Sequence, residues 1–138
     1  MTKICSNREQ TKELAFMFAK TLKKYGHALV LFEGELGSGK TTFISNVVAA
    51  LDKKTQPSSP TFNIINQYSD NIFHVDLYRI KCEKELINTA FWEIIRGENF
   101  VFIEWAEKLS FDFDKLGHKV FKVRAEAAGE NRRKYTFN

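Results

Sequence analysis

Hydrophobic residues in the first part of the chain recur at helical spacing. Leu14, Phe18 and Leu22 fall three to four residues apart, with Thr11 and Ala15 beside them, so the spacing predicts an amphipathic helix from about Asn7 to Tyr25. Ser6-Asn7-Arg8-Glu9 reads as a capping box with Ser6 as the N-cap, and Gly26 as a left-handed C-terminal cap. The pattern then changes. Ala28-Leu29-Val30-Leu31-Phe32 is continuously apolar, as expected of a parallel strand covered on both faces. A glycine-rich turn, Gly34 to Gly39, leads into Lys40–Leu51, where Phe43, Val47, Val48 and Leu51 return to helical spacing.

Further along, Pro57-Ser58-Ser59-Pro60-Thr61 is a stiff polar loop. Phe62–Tyr68 and Ile72–Asp76 read as a hairpin around Ser69-Asp70-Asn71. Lys84–Ile95 reads as a helix with Leu86, Ala90, Phe91 and Ile94 on one face. Phe100-Val101-Phe102-Ile103 is a second continuous apolar run and hence a second central strand. Lys119–Val123 and Lys134–Phe137 read as two late strands with Gly129-Glu130-Asn131 as their turn. The expected class is α/β: a mixed sheet with a parallel centre, antiparallel additions and flanking helices, in one domain spanning residues 1–138.

Composition narrows the picture only slightly. With 43% hydrophobic residues, 13 Phe and 2 Trp, the 138-residue chain can fill a core, and 2 Pro and 7 Gly leave little room for linkers. The net charge of +4 suits anionic partners but also suits an ordinary solvated surface. Cys5 and Cys82 form neither a metal spacing nor a disulfide framework, which suggests a reducing cytosol. Met1–Gln10 lacks an apolar run, so no signal peptide is expected, and no stretch is apolar enough to suggest a membrane span.

The chemistry concentrates in three clusters. Gly34-Glu35-Leu36-Gly37-Ser38-Gly39-Lys40-Thr41 matches G-x-x-x-x-G-K-[ST] at every fixed position and sits between a strand and a helix. Such a loop curls its backbone N–H groups around phosphates; its lysine reaches the β and γ phosphates and its threonine ligates Mg²⁺. The fold expected from this is that of the P-loop NTPases, with a Mg-bound nucleoside triphosphate as cofactor. Glu104 ends the second apolar run, where a carboxylate can hold the metal side of the site, or be an ordinary acid at a strand end. In His74-Val75-Asp76-Leu77-Tyr78-Arg79, an extended chain puts His74, Asp76 and Tyr78 on one face, toward a site or solvent. Asp76 could orient a water or ligate Mg²⁺ through water, and His74 reads more readily as a satisfied structural residue.

These clusters in this order (ELGSGKTT, SPTF, HVDLYR and IEW) resemble the TsaE family, formerly called YjeE, from about Ile4 to Arg133. The resemblance implies a cytoplasmic bacterial ATPase that works with the TsaD and TsaB proteins. Together they place a threonylcarbamoyl group on the adenosine beside the anticodon of ANN-decoding tRNAs. TsaD performs the transfer, and ATP hydrolysis keeps the complex turning over; tRNA is met through the complex, and no membrane is involved. It also implies ATP contacts at Leu36, Gly37, Ser38, Gly39, Lys40, Thr41 and Thr42, Mg ligands at Thr41 and Glu104, and a catalytic acid at Asp76. Thr61 falls in a switch-like loop, Trp105 matches a tryptophan the family needs, and Arg8–Thr11 falls where the family touches the base. The chain departs from the family in having Ala106 after Glu104-Trp105, where proline is usual, and in lacking a glycine within Lys84–Ile95. Two other readings are open: a small-molecule kinase, which would need a lid the chain has little length for, and an RNA-binding module. Phosphate transfer to an added acceptor would mark the first, and ATP-independent, salt-dependent tRNA binding the second.

Overall fold

The computed structural model describes residues 1–35, 37–54 and 63–138. Leu36 and the loop Pro57–Thr61, including the expected nucleotide residue Thr61, lie outside them, as does Phe62. In chain order the elements are β1 (Thr2–Cys5), α1 (Arg8–Tyr25), β2 (Ala28–Glu33), α2 (Lys40–Leu51), β3 (Ile65–Ser69), β4 (Ile72–Asp76), α3 (Phe91–Arg96), β5 (Phe100–Glu104), β6 (Val120–Ala127) and β7 (Arg133–Phe137). Short 3-10 turns cover Glu83–Leu86, Ala106–Lys108 and Phe113–Leu116.

The strands form one sheet in the order β1-β7-β6-β2-β5-β4-β3. The four strands β6, β2, β5 and β4 are mutually parallel, whereas β3 pairs antiparallel with β4, β7 with β6, and β1 with β7. This is the expected parallel centre with antiparallel additions. Alternation along β2 and β5 divides the core. Val30, Phe32 and Phe102 pack on one face with Phe18, Leu22, Phe43 and Val47 of α1 and α2. Leu29, Val101 and Ile103 pack on the other with Leu86, Phe91 and Ile95. The two apolar runs are therefore buried on both sides.

Three local expectations are corrected. The helix cap is Asn7, not Ser6: the Gln10 amide donates to Asn7 Oδ1 at 2.8 Å, and the Ser6 amide donates to Gln10 Oε1 at 2.7 Å. The cap bond is present but displaced by one residue from the expected box, and Gln10, in place of Glu9, reaches back to the residue before the cap rather than to the cap itself. Gly26 closes the helix as expected, with φ 79° and its amide donating to the Lys23 carbonyl. The continuous helix expected over Lys84–Ile95 is broken into the 3-10 turn Glu83–Leu86 and α3. Thr89 explains the break, because its hydroxyl donates to the Leu86 carbonyl at 2.7 Å and accepts from the Phe91 amide at 3.2 Å. A side chain that satisfies backbone groups this way competes with the helical ladder. Leu86, Phe91 and Ile94 remain buried, but Ala90 is exposed. Finally, β1 was not anticipated. Only Cys5 of its four residues is buried, so the strand is held by backbone pairing with β7 and carries little hydrophobic signal.

Candidate functional site

The parallel strands β2, β4 and β5 deliver their carboxyl ends to one edge of the sheet, and the expected site residues follow. Glu33 ends β2, Gly34 to Gly39 turn the chain, and Lys40 starts α2. β4 and β5 run in register, so Asp76 lies opposite Glu104 and His74 opposite Phe102. Partners in register share a face, and Phe102 lies on the α1–α2 side. His74, Asp76 and Glu104 therefore all project toward α2. Tyr78 lies beyond the end of β4 and is exposed, so the expected polar trio reduces to His74 and Asp76 on this face.

Glu104 is the hub. It is only 3% exposed, yet two polar side chains meet its Oε2. His74 Nε2–H donates to it at 2.6 Å, and the Thr41 hydroxyl donates to it at 3.4 Å. The histidine, itself buried, fixes the carboxylate's orientation, the role outer-shell partners play around metal ligands. Its structural reading holds in the sense that it is a satisfied buried residue, but the group it satisfies belongs to the site. Asp76 is half-buried, and its Oδ1 accepts from the Tyr78 amide at 3.0 Å.

Lys40 is also buried, at 4% exposure. Its ammonium donates to the Gly34 carbonyl and lies 4.1 Å from the centroid of the Trp105 ring. Both contacts stabilise a cation taken from water. Trp105 adopts φ 63°, ψ 35°, a left-handed conformation that costs a non-glycine residue roughly 1–2 kcal/mol. The turn it makes directly after Glu104 aims the indole back at Lys40 and against Tyr78, 5.2 Å between ring centroids. Nothing in a single sequence marks that backbone twist.

The loop has one orphan. Ser38 is 4% exposed, and its hydroxyl has no hydrogen-bond partner among the described residues. A buried unsatisfied hydroxyl costs on the order of 1–3 kcal/mol, and a ligand oxygen is what would relieve it. The far side of the loop is braced by Tyr135, whose ring stacks on Phe43 at 4.7 Å and whose hydroxyl donates to the Gly39 carbonyl at 3.4 Å. Burial, and secondarily the nearby Cys5 thiol, push the Tyr135 phenol up to about 12, so it stays a proton donor at neutral pH.

A cleft of about 900 Å³ runs from this edge. Its lining includes Glu104, Thr41 and Lys40, with Gly37, Gly39, Thr42 and Asn46, and also Asn7, Arg8, Thr11, Lys12, Asn131 and Arg133. Of the expected nucleotide and metal residues, Gly37, Gly39, Lys40, Thr41, Thr42 and Glu104 thus meet in one cavity, while Gly34 and Ser38 belong to the loop but are not among the lining residues. Asp76 stands beside Glu104 but is not among the lining residues. Asn131 and Arg133, brought in by the β6–β7 turn, were not anticipated, and neither carries a local sequence signal. A nucleoside triphosphate fits what is present: a strand–loop–helix anion cradle, a lysine, an unsatisfied hydroxyl, and a hydroxyl and carboxylate close enough to share a cation. One or two protein oxygens are the donor set Mg²⁺ takes when phosphates supply others.

Comparisons with known proteins identify the fold and the family. The crystal structure of Bacillus subtilis YdiB superposes with a TM-score of 0.68 at 27% identity, covering 99% of this chain and 83% of that one. The fold is thus P-loop NTPase-like. Similar sequences include proteins named tRNA threonylcarbamoyladenosine biosynthesis protein TsaE. That of Rickettsia felis is 36% identical over 134 residues, covering 94% of this chain and 75% of the relative. That of Bacillus subtilis is 34% identical over 134 residues, covering 95% and 80%. The family model described as threonylcarbamoyl adenosine biosynthesis protein TsaE matches residues 5–135, and the chain belongs to that family.

Proposed function

We propose that this chain binds Mg-ATP in the cleft at the carboxyl edge of the sheet and hydrolyses it in support of N6-threonylcarbamoyladenosine formation in tRNA, acting on a TsaD–TsaB transferase. The observation that carries the nucleotide reading is the convergence of Lys40, Thr41 and Glu104 in one cleft, whose loop holds the unsatisfied Ser38 hydroxyl. Two family features support the tRNA reading: the match over residues 5–135 and the relatives' printed names.

Each residue's role follows from its surroundings. The loop backbone, Ser38 and Lys40 would hold the phosphates; Thr41 and Glu104 would hold Mg²⁺. Bound Mg-ATP supplies an electrophilic phosphorus and a divalent charge. His74 keeps Glu104 oriented toward Thr41. Asp76 has one oxygen tied to the Tyr78 amide and lies one strand over from Glu104, a position suited to orienting a water or the metal's outer shell. Trp105 touches both Lys40 and Tyr78, so it couples the loop to the exposed surface at Tyr78, where a partner could read the nucleotide state.

Hydrolysis by the isolated chain, with and without a TsaD–TsaB pair, tests these roles. Asp76→Asn is expected to hold ATP affinity within a few-fold and to lose hydrolysis by on the order of 100-fold, since removing a positioned proton acceptor costs about that much. Glu104→Gln is expected to raise the Mg²⁺ needed for half-maximal rate about tenfold, because it removes a charged oxygen ligand. A wild-type Mg²⁺ curve for Glu104→Gln would remove that residue from the metal site. Loss of ATP binding in folded Asp76→Asn would make Asp76 a binding element instead.

A further inference from the structure

The opposite edge of the sheet carries a feature the nucleotide reading does not use. Three separated segments meet at the amino ends of β2 and β6: the last turn of α1 with its cap (residues 23–27), the turn before β5 (96–99), and the entry to β6 (117–121). Contacts join them into one surface. Lys119 Nζ lies 5.4 Å from the Tyr25 ring centroid and 5.3 Å from that of Phe121, and the two rings meet edge to face at 5.6 Å. His27 and His118 pack perpendicular at 4.8 Å, and His118 Nε2–H donates to the Arg96 carbonyl at 3.0 Å.

The composition is one-sided. Across these segments stand four Lys or Arg side chains (Lys23, Lys24, Arg96 and Lys119), two histidines and a single acid, Glu98. All four cations are exposed, and among the described residues no carboxylate pairs with them. Tyr25 is 48% exposed although its ring packs on Phe121. Sequence order hides this arrangement, because the aromatic and basic residues interleave only after α1, β5 and β6 are brought side by side.

We propose that this surface binds the backbone and unpaired bases of RNA, with tRNA as the RNA the family context points to. Separate cations at the edge of a rigid sheet neutralise phosphates without needing a sequence. An exposed tyrosine held in place by a second ring and flanked by a lysine is a stacking platform for an unstacked base. An acidic protein surface would also meet the cations and could pack on Tyr25, and the test below separates that outcome from RNA binding. The surface lies roughly 17–20 Å from the phosphate loop, one strand length away at about 3.3 Å per residue, so both ligands can bind at once. The inference goes beyond the nucleotide reading and does not depend on it.

The test is fluorescence anisotropy of labelled, unmodified tRNA with the full chain across a potassium chloride series. The wild-type chain is expected to bind with a salt dependence. Replacing Lys23 and Lys119 together by glutamine is expected to weaken binding at least about tenfold and to reduce the slope of log affinity against log salt by about 1.5, two phosphate contacts' worth. Tyr25→Ala is expected to weaken binding roughly tenfold with the slope unchanged, since stacking carries no counterion release. ATP affinity measured on the same variants should match wild type, which verifies folding and separates failure here from failure of the nucleotide site. Three results overturn the proposal: no salt-dependent tRNA binding by the wild-type chain, wild-type affinity and slope in the variants, or variants that keep tRNA binding but lose association with a TsaD–TsaB pair. The last outcome would make this a protein-docking surface.

Discussion

Lys40→Ala is expected to lower Mg-ATP affinity by about 100- to 10,000-fold, measured by calorimetry. Two lysines line the cleft, Lys12 and Lys40; Lys12 is exposed, whereas Lys40 is buried and already desolvated there. Hydrogen bonds to charged groups contribute about 1.5–3 kcal/mol each, and a lysine shared between two phosphates makes two of them. At about 1.4 kcal/mol per factor of ten, their loss gives the stated range. The same substitution removes a donor to the Gly34 carbonyl and the cation above Trp105, so the free protein should also lose some stability. Thermal unfolding without nucleotide separates the two effects. A folded Lys40→Ala protein with wild-type affinity would show that the loop does not hold the phosphates through this residue.

Gly34→Ala is expected to destabilise the fold by about 2–4 kcal/mol, the sum of a strained backbone and an overpacked contact. Gly34 has φ 139°, where residues with a side chain rarely sit. An added Cβ would also stand 2.3 Å from the Ala125 carbonyl oxygen and 2.8 Å from Ser38 Oγ. The serine could turn away, but Ala125 is paired with Tyr135 in the β6–β7 ladder and cannot retreat without disturbing it. For a domain of this size the cost corresponds to a fall in Tm of roughly 10 °C. Gly37→Ala is the control. Gly37 has φ 77° with nothing within 4 Å of an added Cβ, so only backbone strain of roughly 1 kcal/mol is incurred. Equal unfolding temperatures for the two variants would contradict the close approach of the loop to β6.

What the sequence disclosed and what it concealed divide along physical lines. The strands β2 and β5 were legible because burial on both faces leaves an unbroken apolar run. The face of α1 was legible because burial on one side leaves a helical period, and Thr11, Leu14, Ala15, Phe18 and Leu22 are all buried there. β1 was not, since backbone pairing leaves no mark on exposed Thr2, Lys3 and Ile4. Nor was the break at Thr89, which depends on a hydroxyl choosing backbone partners over solvent. Within the candidate site, the positions of the glycine-rich loop and of Glu104 were readable from spacing and from the end of an apolar run. The bond from His74 to Glu104 required the register of β4 on β5, and the stacking of Trp105 over Lys40 required a left-handed turn. Asn131 and Arg133 reach the cleft only because β7 folds back beside β6. Local pattern thus conveyed the elements and the motif, while pairing between distant strands supplied their partners.

The most direct test of the central claim is N6-threonylcarbamoyladenosine formation on ANN-decoding tRNA by a reconstituted TsaD–TsaB pair, followed past one product per complex. With this chain and Mg-ATP present, the account predicts continued product formation, and with Lys40→Ala in its place, a halt after about the first turnover. Sustained formation with Lys40→Ala, or none beyond the first turnover with the wild-type chain, would contradict it.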